Sequence, residues 1–245
     1  MPRIALITGA TRGLGFETAR LLGRRGDRVI LAARNAAAGE LAADALLAEG
    51  VQAESVTLDV TSAVSVRAAN VVKQRHGHLD LLVNNAGILP EATEIHEDVL
   101  DLEMFRRTFE TNLFGPVAMI EYFLPLLLRS EKGGVIVNVS SRMGSLSDQL
   151  NPDSPYHGVV VPAYQASKAA LNALTVSLSK KLAETPVVVN SVCPGWLQTD
   201  LGGPRNRAAA PMSAAEGARI VVDRGCYPEA PGSGRFLDET GVVAW

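Results

Sequence analysis

Cysteine is nearly absent. The 245 residues hold two, Cys193 and Cys226, too few and too far apart for a disulfide framework or a thiolate metal site. Histidine is scarce too, and His76, His78, His96 and His157 form no ligand pattern, so no metal is expected. Neither sign of charge dominates. A formal net charge of −3 gives no reason to expect nucleic acid as a partner. No apolar run approaches the length of a membrane span. Met1-Pro2-Arg3 leads at once into a strand-like run, which leaves no room for a signal peptide. The expectation is a reduced, soluble, cytoplasmic protein with no membrane partner. What is plentiful is core: 47% hydrophobic residues in a chain whose length suits one α/β domain.

Strand-like and helix-like segments alternate from end to end. Strands are predicted at 3–8, 28–33, 52–58, 80–84, 134–139, 187–192 and 235–237, and helices at 36–48, 62–76, 98–129, 163–184 and 213–223, besides one opening near Leu14. Runs such as Val135-Ile136-Val137-Asn138-Val139 are apolar almost throughout, as strands covered on both faces require. The expected fold class is therefore α/β: a single-domain, Rossmann-type, doubly wound parallel sheet of about seven strands with helices on both faces. No repeat or linker divides residues 1–245. Two irregular stretches follow strand runs, 145–162 and 196–212. In such a sheet ligands bind outside the carboxyl ends of the strands, so the first is expected to be an active-site insertion loop and the second a substrate lid.

The first strand runs into Gly9-Ala10-Thr11-Arg12-Gly13-Leu14-Gly15 and then an apolar helix face at Phe16, Ala19, Leu21 and Leu22. Strand, glycine turn and helix in this order bring backbone N–H groups and a favourable dipole to a pyrophosphate. The second strand ends in Ala33-Arg34. An NAD site usually carries a carboxylate there for the ribose 2′-hydroxyl. With no acid and with Arg34 and Arg12 at hand, a 2′-phosphate is the better ligand, which makes NADP(H) the expected cofactor.

Tyr164 and Lys168 stand four residues apart, which puts phenol and ammonium on one helix face. A cation there is expected to lower the phenol's pKa, so that it exchanges a proton with a substrate oxygen near neutral pH.

Five separated motifs together resemble the short-chain dehydrogenase/reductase family, most closely its carbonyl-reductase branch. They are Thr8-Gly9-Ala10-Thr11-Arg12-Gly13-Leu14-Gly15, Leu58-Asp59-Val60, Asn84-Asn85-Ala86-Gly87, Ser140-Ser141, and Tyr164 with Lys168. Cys193-Pro194-Gly195-Trp196-Leu197-Gln198-Thr199-Asp200 is similar to that branch as well. The resemblance implies that Tyr164 is the general acid in carbonyl reduction and Lys168 the holder of the nicotinamide ribose. Ser141, chosen over Ser140 because Gly144 follows three residues later, would donate to the substrate oxygen. Ser140 would be a local backbone partner. Asn112 would interrupt its helix and hold a water leading to Lys168. Gly9, Thr11, Arg12, Gly13, Leu14 and Gly15 would cradle the cofactor, with Arg34 on its 2′-phosphate. Asp59 and Val60 would meet the adenine, Asn85, Ala86 and Gly87 the ribose side, and Pro194, Gly195 and Thr199 the nicotinamide end.

The implied activity is NADPH-dependent reduction of an aldehyde, ketone or quinone, a small-molecule carbonyl substrate. Met143, Leu146, Val159, Val160, Val161 and Trp196, with His157 in the loop, suggest an apolar pocket wall. A non-catalytic NADP(H)-binding sensor on the same fold is the alternative, but such proteins tend to lose the tyrosine or lysine that this chain keeps. A sugar-nucleotide epimerase or dehydratase would need a larger C-terminal domain than the 50 residues after Gly195. The 23 residues from Ser141 to Tyr164 exceed the spacing in many members. Longer insertions there cover a surface used for assembly, so monomer and homo-oligomer both stay open.

Overall fold

The computed structural model describes residues 2–62, 65, 68–94, 99–227 and 232–245. Its strands are β1 (Ile4–Thr8), β2 (Arg28–Ala33), β3 (Ala53–Thr57), β4 (Leu81–Asn84), β5 (Val135–Val139), β6 (Val188–Val192), β7 (Phe236–Asp238) and β8 (Gly241–Val242). Side chains of a strand alternate between the two faces of the sheet. In β1 this sends Ile4 and Leu6 into one core, with Ile30, Phe123 and Ile136. Ala5 and Ile7 enter the other, with Leu22, Leu31, Leu46 and Val221. An apolar strand thus feeds two cores at once, and helices must cover both faces.

The sheet order is β3-β2-β1-β4-β5-β6-β7-β8. β1 through β7 pair in parallel, and β8 turns back antiparallel on β7 with Leu237 opposite Val242. The seven expected strands are present. The eighth is two residues long, too short to leave a period in the sequence. Strand order reverses between β1 and β4, and the crevice at that switch point is where a doubly wound sheet takes its ligand.

The helices are α1 (Gly13–Arg24), α2 (Ala36–Ala48), α3 (Ala69–His76), α4 (Leu102–Phe109), α5 (Gly115–Leu127), α6 (Leu146–Leu150), α7 (Pro162–Lys181), α8 (Gly203–Ala209) and α9 (Ala214–Ile220). The helix expected over 98–129 is two, joined by a wide π turn at Glu110–Phe114. Residue 98 at its start, and 63–64 and 66–67 of the expected 62–76 helix, lie outside the described residues. The two irregular stretches are not plain loops: 145–162 contains α6, and 196–212 contains α8. No helix among the described residues is long and apolar enough to cross a membrane.

The chain's last residues fasten the 145–162 segment. Ser145 Oγ donates to the Ala244 carbonyl at 2.7 Å and Ser147 Oγ to that of Trp245 at 2.8 Å. The Trp245 ring stacks on Phe236, with centroids 5.6 Å apart.

Candidate active site

The turn between β1 and α1 is built for an anion. Gly9 and Gly13 have φ of 63° and 57°, a region that a side chain disfavours. Arg12 is the N-cap of α1, yet no side chain caps this helix and its first turn holds no acid. The N–H groups and the positive end of the dipole are left to whatever binds there. This contrasts with α2, α4 and α9, which Asn35, Asp101 and Ser213 cap. A Cβ on Gly15 would lie 2.5 Å from Asn85 Nδ2 and from the Gly9 carbonyl oxygen. The cradle is thus small enough for backbone to reach a ligand.

Thr8 and Asn85 lock this turn to β4. Thr8 Oγ1 accepts from the Asn85 and Ala86 N–H groups at 3.0 and 2.9 Å. Asn85 Nδ2 donates to the Thr8 carbonyl at 2.8 Å and to that of Gly9 at 3.2 Å. The side chain of Asn85, expected on the ribose side, is therefore engaged in holding the glycine turn. Thr8, seen in the sequence only as the first residue of a motif, is an organiser of the site. Thr11 is partly exposed at the rim, while Leu14 packs onto the core.

Other expected cofactor residues divide in the same way. Arg34 is exposed at the end of β2 and makes no hydrogen bond or ion pair with any described residue. Arg12 instead reaches across to Asp200 in the 196–212 segment, at 3.2 Å, where Arg207 also binds at 2.9 Å. In the same segment the Thr199 methyl would lie 3.5 Å from a Cβ on Gly13. Pro194 is buried and Gly195 is exposed, with φ of 90°. The Asp59 carboxylate accepts from the Thr61 N–H and hydroxyl at 3.0 and 2.8 Å, a local turn. Val60 is buried in the core, and a Cβ on Gly115 would meet its Cγ2 at 2.9 Å.

The four expected catalytic residues come from three places and converge. Tyr164 and Lys168 share the buried face of α7, with Lys168 Nζ 5.6 Å from the Tyr164 ring centre. Lys168 Nζ donates to the Val139 carbonyl at the end of β5, at 2.8 Å. The Ser141 hydroxyl, two residues further on, bears on the Tyr164 phenol and works to lower its pKa. It also accepts from the Met143 N–H at 3.1 Å, which closes the turn. Ser140 is not the backbone partner expected of it: its hydroxyl donates to Asn172 Oδ1 at 2.7 Å and ties β5 to α7.

Asn112 sits in the π turn, as an interruption of the helix required. Its Oδ1 accepts from the Ile88 N–H at 2.9 Å, and its Nδ2 donates to the Ile88 carbonyl and to Ser167 Oγ at 3.0 and 3.1 Å. A Cβ on Gly87 would lie 3.4 Å from Asn112 Oδ1 and 3.9 Å from Lys168 Nζ, so the three residues meet at one point.

Electrostatics differ from the expectation. Tyr164 and Lys168 are both buried, and desolvation is the largest influence on each. It raises the Tyr164 pKa well above the ordinary phenol value, with Cys193 adding to the rise and the Ser141 hydrogen bond opposing it. It brings Lys168 down to about 8. The predicted lowering of the phenol by the lysine is replaced by a rise, because burial disfavours the charged form of both groups.

Gly144 explains why Ser141 sits where it does. A Cβ there would fall 2.7 Å from both the carbonyl carbon and the Cβ of Lys168. Gly144→Ala should therefore push the serine turn off α7 and cost about 1–3 kcal/mol of stability, as overpacking does. Thermal unfolding checks this; an unchanged Tm would show that the turn does not bear on the helix. Arg142 and Asp148, which the sequence did not mark, brace the same turn. Arg142 Nε and Nη2 donate to the two Asp148 oxygens at 2.8 and 2.6 Å. The guanidinium holds the Asp148 carboxyl below the usual carboxylate range. His157, whose Nδ1 lies 2.8 Å from the Gln149 carbonyl oxygen, is an exposed loop residue. Leu146, Val160 and Trp196 keep exposed apolar surface.

A doubly wound sheet with an uncapped glycine-turn helix and a buried Tyr-Lys pair beside Ser141 describes a dinucleotide-dependent oxidoreductase. Residues 3–210 match the family model of short chain dehydrogenases, and the chain belongs to that family. Within it the chain sits in the carbonyl-reductase branch. It is 33% identical to carbonyl reductase [NADPH] 1 of Bos taurus, covering 99% of this chain and 98% of the relative. It is 34% identical to (+)-neomenthol dehydrogenase of Arabidopsis thaliana, over 98% and 97% of the two chains. The solved structure of an NADPH-bound carbonyl reductase from chicken fatty liver superposes with a TM-score of 0.84 at 28% identity, over 100% and 99% of the chains.

Proposed function

We propose that this protein is an NADPH-dependent reductase of aldehydes, ketones or quinones. The observation that carries the reading is the convergence of Tyr164, Ser141 and Lys168, from one helix and one strand end, beside a glycine turn whose helix is uncapped. The cofactor reading is supported by the Ala33-Arg34 strand end and by the NADPH-bound chicken reductase.

Gly9, Gly13 and Gly15 would hold the pyrophosphate against the α1 N-terminus, Arg34 and Arg12 the 2′-phosphate, and Lys168 the nicotinamide ribose. NADPH, when bound, supplies the hydride. Tyr164 gives the proton to the substrate oxygen. Its raised pKa keeps the phenol protonated across the physiological range, so it is a donor at rest. Ser141 donates to the same oxygen as negative charge develops there. The exposed apolar surface of Leu146, Val160 and Trp196 favours apolar substrates. The test is NADPH oxidation against a panel of aldehydes, ketones and quinones; NADPH binding with no turnover of any of them would sink the reading.

Lys168 gives this site a pH dependence with a definite sign. A depressed lysine pKa means that the ammonium is lost as pH rises through about 8, well before the ordinary 10.5. NADPH affinity should therefore weaken about three- to tenfold between pH 7 and 9.5, following that titration. In Lys168→Arg the profile should be flat over this range, because a guanidinium stays charged. A fluorescence titration of NADPH at several pH values reads both; a flat wild-type profile would remove Lys168 from cofactor binding.

A further inference from the structure

The first turn of α7 lacks a cap of its own. Val161 at the N-cap position offers no side-chain hydrogen bond, and Pro162 has no N–H. The next two N–H groups, those of Ala163 and Tyr164, both donate to Glu91: one to Oε1 and one to Oε2, each at 2.9 Å. The carboxylate arrives from more than 70 residues upstream. It stands in the single 3₁₀ turn Pro90–Ala92, which follows the Asn85-Ala86-Gly87 segment. Where α2, α4 and α9 take a cap from the residue before them, the helix that bears the phenol takes its cap from the wall of the cofactor crevice.

We propose that Glu91 is a positioning residue for Tyr164, an inference that rests on the reductase reading above. Two N–H groups bound to two oxygens of one rigid carboxylate fix the height and the rotation of the helix's first turn. One of those N–H groups belongs to Tyr164 itself, so the carboxylate acts on the catalytic residue's own backbone. Its anchor is firm: Pro90 is buried, and Ile88 is clamped by Asn112 through both its N–H and its carbonyl. The same Asn112 binds Ser167 further along α7. The 88–91 segment thus holds the catalytic helix directly through Glu91 and, one turn on, by way of Asn112. The opposite side of the helix start is held separately, by Gln165, whose Oε1 accepts from the Val161 N–H and whose Nε2 donates to the Val159 carbonyl. Loss of the Glu91 carboxylate should therefore let the first turn shift while the rest of the helix stays seated. The phenol would then stand away from Ser141 and from the substrate oxygen, without any loss of the glycine turn that holds the cofactor.

The test compares wild type, Glu91→Ala, Glu91→Gln and Tyr164→Phe, each normalised to the sites that bind NADPH. A misplacement of about 1 Å can cost on the order of a hundredfold in rate. Glu91→Ala should therefore lower kcat by about ten- to a hundredfold, with NADPH affinity within about twofold of wild type. Glu91→Gln, which keeps the reach and one oxygen acceptor, should restore part of the loss. The kinetic isotope effect with 4-deuterated NADPH should rise in Glu91→Ala, because a displaced acid makes the chemical step limiting. Glu91→Ala with a lowered Tm but wild-type kcat per binding site would show that Glu91 only stabilises the fold, and would overturn the proposal while leaving the reductase reading intact. Equal turnover by wild type and Tyr164→Phe would overturn both, and that failure is distinguishable because it appears in Tyr164→Phe whatever Glu91→Ala does.

Discussion

Tyr164→Phe should lose nearly all NADPH oxidation, by about three orders of magnitude, while binding NADPH almost as wild type does. The argument runs from burial. Tyr164 is buried, and Cys193, which bears on it electrostatically, is itself buried and has its thiol pKa pushed up. Removing one oxygen leaves the ring in place and removes the proton donor. Ser141 stays, but a serine hydroxyl is a hydrogen-bond donor to the developing charge and a poor proton source. Lys168 stays as well, held by the Val139 carbonyl and not by the phenol. Hence cofactor affinity should survive. Steady-state turnover and NADPH titration on the same preparation check both halves. Turnover within a few-fold of wild type would mean that another group supplies the proton.

What was legible in the sequence was what depends on local spacing. The apolar run of β1 and the strand–turn–helix order around Gly9 and Gly13 follow from neighbours in the chain. Tyr164 and Lys168 share a face because four residues make about one helical turn. The site residues that escaped reading are those whose partners lie far away. Glu91 looks like any surface acid until the fold brings it to the N–H groups of Ala163 and Tyr164. Arg142 and Asp148 carry no motif, and Asp148 stands in the short helix α6 inside what was expected to be an active-site insertion loop. Asn112 was legible as an interruption, but not its grip on Ile88. The pKa expectation failed for a related reason. A phenol and an ammonium one turn apart were known to be close. That both would be buried was not in the spacing, and burial moves the two groups in opposite directions.

Arg34→Asp should reverse the cofactor preference. The two arginines expected at a 2′-phosphate do not stand alike. Arg12 is shared with Asp200, which Arg207 neutralises in turn, so an incoming phosphate must compete with a carboxylate already in place. Arg34 has no such partner among the described residues, and it lies just past the end of β2, the strand next to β1. Its guanidinium is free to make two parallel bonds to a phosphate. An aspartate at that position removes those bonds, repels a dianionic phosphate, and offers an acceptor to a ribose 2′-hydroxyl. The ratio of NADPH to NADH affinity should fall by about a hundredfold or more, since charge-assisted bonds and like-charge repulsion change together. Arg12→Ala should shift the ratio by less, because the bond it gives up to phosphate is offset by the one it already has with Asp200. Dissociation constants of both cofactors for the three proteins decide the matter. An unaltered ratio in Arg34→Asp would show that Arg34 does not read the phosphate. A larger shift in Arg12→Ala than in Arg34→Asp would reverse the ranking, and would mean that the Arg12–Asp200 pair opens when the cofactor enters.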